Sequence, residues 1–165
     1  MARKEQVFEE IFQANSKKIY HLCFGYTGDE DAANDLLQET FLKVWQNLDK
    51  FRNQAMISTW IYRIAVNTCL TYLKKEKRQA KDELTTNIIE NIEDEVSEKQ
   101  DQIKTLYQCI AQLDENERII ITMVMDELPY PEIAEISGIS EGNLRVKIHR
   151  IKHKLTELYN QHERL

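Results

Sequence analysis

Residues 130–155, YPEIAEISGISEGNLRVKIHRIKHKL, crowd Arg145, Lys147, Arg150, Lys152 and Lys154 into a few turns of a chain whose formal net charge is -6. Cations at this density suit phosphates. At about 100° per residue, Leu144, Ile148, Ile151, Leu155 and Leu158 fall on one narrow stripe. Gly142, Val146, His149 and His153 fall opposite it, flanked by Asn143, Arg145 and Arg150. Charges for the backbone, polar donors and a methyl-bearing side chain for base edges are what a helix needs to read a major groove. A basic helical face is often only a solvated one. Here EIAEISGIS precedes it: a short helix, a glycine turn, and Ser140 placed to cap the next helix. That is a helix-turn-helix pattern, and it moves the balance to DNA. Gly142 beside Ser140 also permits close approach of a phosphate to the helix N-terminus. His149 and His153, four apart, have the spacing to share a metal ion, but no Cys or carboxylate is expected to complete a set on that face. His21, among apolar neighbours, reads as a packed core histidine.

Two further stretches have useful chemistry. KFRNQAMISTWIYRIAVNTCLTYLKKEKR, residues 50–78, sets Phe51, Arg52, Asn53 and Gln54 in a loop before a helix with Trp60, Arg63 and Asn67, and ends in Lys74, Lys75, Lys77 and Arg78. Aromatic faces beside amides and cations suit unpaired bases. The plainer alternatives are that Trp60 and Tyr62 are partly core and that the lysines answer the helix C-terminus. In DLLQETFLKVW, residues 35–45, Asp35, Gln38, Glu39 and Leu42 recur at i, i+3, i+4 and i+7, away from Leu37, Phe41 and Val44. A polar edge holding one apolar residue suits a helical partner, and exposure to solvent explains the periodicity nearly as well.

The elements that position these groups are helical throughout. Four Gly and two Pro in 165 residues leave few breaks, and the spacing predicts an all-α protein. In the first block, Val7, Phe8, Ile11, Phe12, Ile19, Leu22 and Cys23 mark one helix. Gly28 breaks it and Asp29 caps a second, buried through Leu36, Leu37, Phe41, Val44 and Leu48. A third is predicted from about Ser58 to Lys75, buried through Ile61, Ile64, Ala65, Thr68 and Tyr72. Residues 82–101 hold eight acids against Lys99 and read as a linker, although Leu84, Ile88, Ile92 and Val96 fall four apart. In the second block, Ile103, Leu106, Ile110 and Leu113 form a stripe, and Asp114 with Glu117 forms a capping pair for a helix through Met125. Pro131 opens the short helix before the turn.

Composition excludes several classes. No run of about twenty apolar residues is present, and MARKEQVFEE turns acidic before any apolar core, unlike a secretory signal. Cys23, Cys69 and Cys109 are odd in number and contain no CxxC pair, which favours free thiols in a reducing compartment, the cytoplasm. There is no Gly-rich phosphate loop, nucleophile motif or metal-ligand cluster, so the expectation is a protein that is not an enzyme and needs no cofactor, metal or small-molecule substrate.

DAANDLLQETFLKVWQNLDKFR, STWIYRIAVNTCLTYLKKEKR and LPYPEIAEISGISEGNLRVKIHRIKHKL, in that order, resemble extracytoplasmic-function sigma factors, small promoter-recognition subunits of bacterial RNA polymerase. The resemblance covers nearly the whole chain. It implies two small helical domains, sigma-two at 1–81 and sigma-four at 102–165, joined by the linker at 82–101. It implies docking on core polymerase, on its β′ coiled coil and β flap, with the β′ contact assigned to Asp35, Gln38, Glu39 and Leu42. It assigns recognition and melting of the minus-10 promoter element to Phe51, Arg52, Asn53, Trp60, Arg63 and Asn67, with Lys74 and Lys75 on the backbone. It assigns minus-35 readout to Ser140, Asn143, Arg145, Val146, Lys147, His149 and Arg150. The loop RNQAMI departs from any fixed family pattern, and Val146 and His149 are less usual in a minus-35 helix. An anti-sigma factor that holds the protein inactive, often at the inner membrane, is a further implied partner. No additional C-terminal domain is expected.

The acidic balance then makes DNA binding conditional: affinity falls steeply with salt, so free promoter DNA is bound poorly, and two weak contacts act together once the chain is on polymerase. A free-standing DNA-binding regulator would leave the DLLQE edge unexplained. A helical adaptor that engages only proteins would keep its partner binding, with no nucleic-acid phenotype, when Arg145 and Arg150 are replaced.

Overall fold

The computed structural model describes residues 1–80 and 98–164, and every regular element among them is a helix. Helix α1 (Ala2–Thr27) stops at Gly28, whose φ of 68° puts it in the left-handed region where a side chain is strained, and whose N–H bonds back to the Phe24 carbonyl. Helix α2 (Glu30–Asn47) starts two residues later, after Asp29. The Asp29 carboxylate accepts the Asp31 N–H at 3.1 Å, and acids at Glu30 and Asp31 match the positive end of the helix. A 3-10 turn, Leu48–Lys50, leads to an irregular loop and to α3 (Ile57–Ala80), which runs a turn past the predicted end. These helices close around Ile19, Leu22, Leu36, Val44, Ile61 and Ala65. Cys23 and Cys69 lie inside this bundle with their sulfurs 4.0 Å apart. The hydrogen bond to Cys23, with burial, holds the Cys69 thiol far above its ordinary range. Val7 and Phe12, expected in the apolar repeat, remain 39% exposed.

Helix α4 (Glu98–Ile110) begins inside the stretch read as linker. Glu98 and Asp101 form its acidic first turn, favoured at a helix N-terminus. Residues 81–97, with the Leu84–Val96 stripe, lie outside the described residues. Helix α5 (Glu115–Met125) opens with the expected capping box: Asp114 accepts the Glu117 N–H at 2.9 Å, and Glu117 accepts the Asp114 N–H at 3.1 Å. Helix α6 (Tyr130–Ser137) has Pro131 in its first turn and ends at Gly138, φ 71°. Helix α7 (Glu141–Glu163) completes the second block, which buries Ile110, Ile120, Met123, Ile133, Leu144 and Ile151.

The two blocks touch. Helix α5 lies along α1 and α6 lies along α3, so the buried apolar residues form one continuous cluster. Arg118 on α5 donates to the Tyr26 carbonyl at 2.8 Å and sits over the Tyr26 ring, 5.3 Å from its centroid. His21 is not the packed core histidine expected. Its side chain is 37% exposed, and Nδ1 lies 3.0 Å from Asp126 at the C-terminal end of α5. A ring nitrogen at this junction needs a polar partner, and the second block provides one. No helix among the described residues is long and apolar enough to cross a membrane.

Candidate nucleic-acid interface

The orientation of α7 decides which side chains are presented. Leu144, Ile148, Ile151 and Leu155 are buried and hold the helix on the second block. This turns Asn143, Arg145, Val146, His149 and Arg150 to solvent, with Val146 52% exposed. Ser140 caps the helix, its hydroxyl accepting the Asn143 N–H at 3.4 Å. Nothing lies within 4 Å of the place a Gly142 Cβ would take, so the outer surface of the first turn is open. Arg145 donates to Glu141 at 2.9 Å and lies 5.1 Å from the centroid of the Tyr130 ring. The pair hold an otherwise flexible guanidinium in position on the outer face. The spacing of cations alone does not single out Tyr130; its signal in the sequence is an aromatic residue directly before Pro131, where the short helix begins.

Lys147 departs from its group. It is half-buried and turns toward a cleft between the blocks, away from the face that carries Arg145 and Arg150. Lys154 pairs with Glu117 at 3.1 Å, which ties α7 to the capping box of α5. Glu157 lies one turn beyond His153, 3.8 Å from its Nδ1, so a carboxylate does occur at that spacing, but among the described residues no group of three His, Cys, Asp or Glu is placed to hold a metal ion.

Phe51, in the loop before α3, and Trp60, on α3, meet with centroids 5.0 Å apart at 35°, both half-buried, so each ring serves packing and leaves an edge accessible. Arg52 and Asn53 are exposed in the loop, and Asn53 has φ 53°, a conformation Asn tolerates better than most residues. Arg63 and Asn67 lie one turn apart on the exposed side of α3, followed by exposed Lys74 and Lys75. The Arg63 guanidinium donates to both the carbonyl and the carboxylate of Glu135 on α6, each at 3.3 Å. On the inner side, Tyr62 is buried, and burial pushes its hydroxyl well above the ordinary range. Burial and the Glu76 carboxylate push the Tyr72 hydroxyl up to about 12.

On α2, Asp35, Gln38, Glu39 and Leu42 all reach solvent, and Leu42 is 56% exposed while Leu36, Phe41 and Val44 are buried. Glu39 accepts from Lys43 at 2.9 Å, and Lys43 also donates to Thr68 of α3 at 3.1 Å, which fixes the edge on the bundle.

The sequence patterns of known families fall on these surfaces. The pattern of sigma-70 region 2 matches residues 11–79, and that of sigma-70 region 4 matches residues 103–155. The ECF RNA polymerase sigma factor SigW of Bacillus subtilis (strain 168) is 31% identical over 159 residues, which cover 88% of this chain and 85% of that one. The chain belongs to the extracytoplasmic-function sigma factors. SigM of the same organism is 27% identical over 156 residues, covering 93% of this sigma factor and 95% of SigM. The same fold occurs in the sigma factor RpoE of Bartonella quintana, solved in complex with the anti-sigma factor NepR. The TM-score is 0.77 at 19% identity, over 94% of this chain and 98% of that one. As a sigma factor, this protein serves RNA polymerase in transcription initiation.

Proposed function

We propose that this sigma factor reads its promoter with two separate faces and docks on polymerase with a third. The buried stripe on α7 carries the reading, because it leaves Asn143, Arg145, Val146, His149 and Arg150 free for the edges and phosphates of a minus-35 duplex, behind a Ser140-capped turn. Lys147, turned toward the cleft, takes up that role only if the blocks move apart. The loop at Phe51, Arg52 and Asn53, with Trp60, Arg63, Asn67, Lys74 and Lys75 on α3, captures unpaired minus-10 bases; the energy of unstacking is offset by aromatic and backbone contacts. Asp35, Gln38, Glu39 and Leu42 form the edge offered to core polymerase, with Leu42 as its apolar centre. The protein makes and breaks no bonds of its own, acts in the cytoplasm, and is held in check by an anti-sigma factor; the fold relative RpoE was solved in complex with the anti-sigma factor NepR.

Run-off transcription with core polymerase, sheared genomic DNA and this protein, followed by mapping of RNA 5′ ends, is the test. Discrete new starts that share upstream motifs are expected, and they are lost when Asp35 and Gln38 are replaced by Ala. Starts that persist in that double variant would remove the docking assignment. Starts with no common upstream motif would remove the promoter-reading one.

A further inference from the structure

On the outer face of α7 one side chain is held and its neighbours are not. Among the described residues, the side chains of Asn143, His149 and Arg150 have no hydrogen bond, ion pair or ring contact, whereas Arg145 has two restraints. Its Nη2 donates to the Glu141 carboxylate at 2.9 Å, one turn back on the same helix. Its guanidinium carbon lies 5.1 Å from the centroid of the Tyr130 ring, at the start of α6. The ring is itself fixed, half-buried against the core of the second block. Both helices of the helix-turn-helix therefore act on one guanidinium.

The fold gains little from this arrangement. The Arg145 and Glu141 side chains are 60% and 45% exposed, so their ion pair lies in solvent and adds little stability. Holding a long side chain still also sacrifices rotamer freedom. An acid in the first turn of a helix is ordinary, but on a face that meets DNA it repels the phosphates its neighbours attract. What the two restraints do supply is direction. A phosphate accepts a cation from many angles, whereas a base edge does not. Guanine presents N7 and O6 side by side in the major groove, and an arginine fork meets both only when its plane is set to theirs. N–H donors remain on the fork after the bond to Glu141. Arg145 also lies near the N-terminal end of α7, the part of a recognition helix that reaches base edges.

We propose that Arg145 reads a guanine of the minus-35 duplex, and that Tyr130 and Glu141 are positioning residues that set the plane of its fork and so determine specificity at that base pair. The inference rests on the assignment of α7 to the minus-35 element.

Competition binding with the assembled holoenzyme tests it. The duplexes carry every single base-pair change across the minus-35 region of a promoter mapped by run-off transcription. The wild type is expected to prefer G·C at one pair by about 10- to 100-fold, the range of a good bidentate contact, and Arg145→Ala to lose that preference alone. Tyr130→Leu is expected to cut the preference by about threefold or more, with the slope of log affinity against log salt unchanged because the Arg145 charge is still present. Tyr130→Phe keeps the ring and keeps the preference. Glu141→Ala weakens the preference yet binds every duplex more tightly, since an acid beside the phosphates is gone; a merely structural role would not move the two in opposite directions. Glu141 is exposed, so this variant reports even if Tyr130→Leu fails to fold. A Tyr130→Phe chain without the preference, or a Glu141→Ala chain with it intact, would overturn the positioning roles. If Arg145→Ala weakens all duplexes equally, the guanine contact is refuted while α7 stays in the groove. A wild type indifferent to every base pair of the region would instead dismiss the assignment of α7.

Discussion

Leu144 and Val146 are two positions apart on α7 and face opposite ways, so one truncation at each measures how the helix is turned. Leu144 is fully buried, and Leu→Ala at such a site costs about 2–5 kcal/mol. With a urea dependence of about 2 kcal/mol per molar, the unfolding midpoint of Leu144→Ala falls by about 1–2.5 M. Val146 is 52% exposed, and Ala is the better helix former by roughly half a kcal/mol, so its midpoint holds or rises slightly. In DNA binding the order reverses. Val146→Ala removes methyl contacts to a base edge and alters discrimination among minus-35 variants, whereas Leu144→Ala binds with unchanged preference under conditions where it remains folded. Urea titrations followed by circular dichroism, with competition binding on minus-35 duplexes, read both effects. If Val146→Ala lowers the midpoint as far as Leu144→Ala does, α7 is rotated from the orientation described and the assignment of its reading face fails.

Other expectations follow from single contacts. Asp114→Ala removes the acceptor of the capping box and lowers stability by about 1 kcal/mol; Asp114→Asn keeps most of it, and a thermal melt of the pair decides. Arg145→Ala weakens minus-35 duplex binding by about 1–3 kcal/mol and lowers the slope of log affinity against log salt by about 1; an unchanged slope places Arg145 off the DNA. Alkaline pH should destabilise the protein. Burial raises the hydroxyls of Tyr20, Tyr26, Tyr62 and Tyr107, and Tyr72 is pushed up to about 12. The folded chain therefore keeps protons that unfolded tyrosines lose near about pH 10. Stability is full below that pH and is lost as pH rises through the folded values; a melting temperature constant from about pH 8 to 11 would contradict this.

The local features were legible because each rests on neighbours in sequence. Gly28 and Gly138 stop helices, Asp29, Asp114 and Ser140 start them, and the 3.6-residue repeat separates buried Leu144 from exposed Val146. What escaped depends on residues far apart in the chain. Nothing near His21 announces a carboxylate 105 positions away, and nothing near Gly25 says that Thr122 will lie against it. Lys147 reads as one more cation on a basic helix, and only the packing of the second block on α3 turns it toward the cleft. Glu98 and Asp101 looked like linker because they continue an acidic run, although acids at those positions serve a helix start equally well.

The three cysteines give this protein a clock of its own. Cys23 and Cys69 are sealed inside the first block and Cys109 inside the second, all buried; the hydrogen bond to Cys23, with burial, raises the Cys69 thiol, and burial raises that of Cys109, further from the reactive thiolate form. A thiol reagent can reach them only while the surrounding helices are apart. The pace at which label appears at Cys23 and Cys69, against that at Cys109, therefore times the breathing of each block separately in the unaltered molecule, and shows which one yields first.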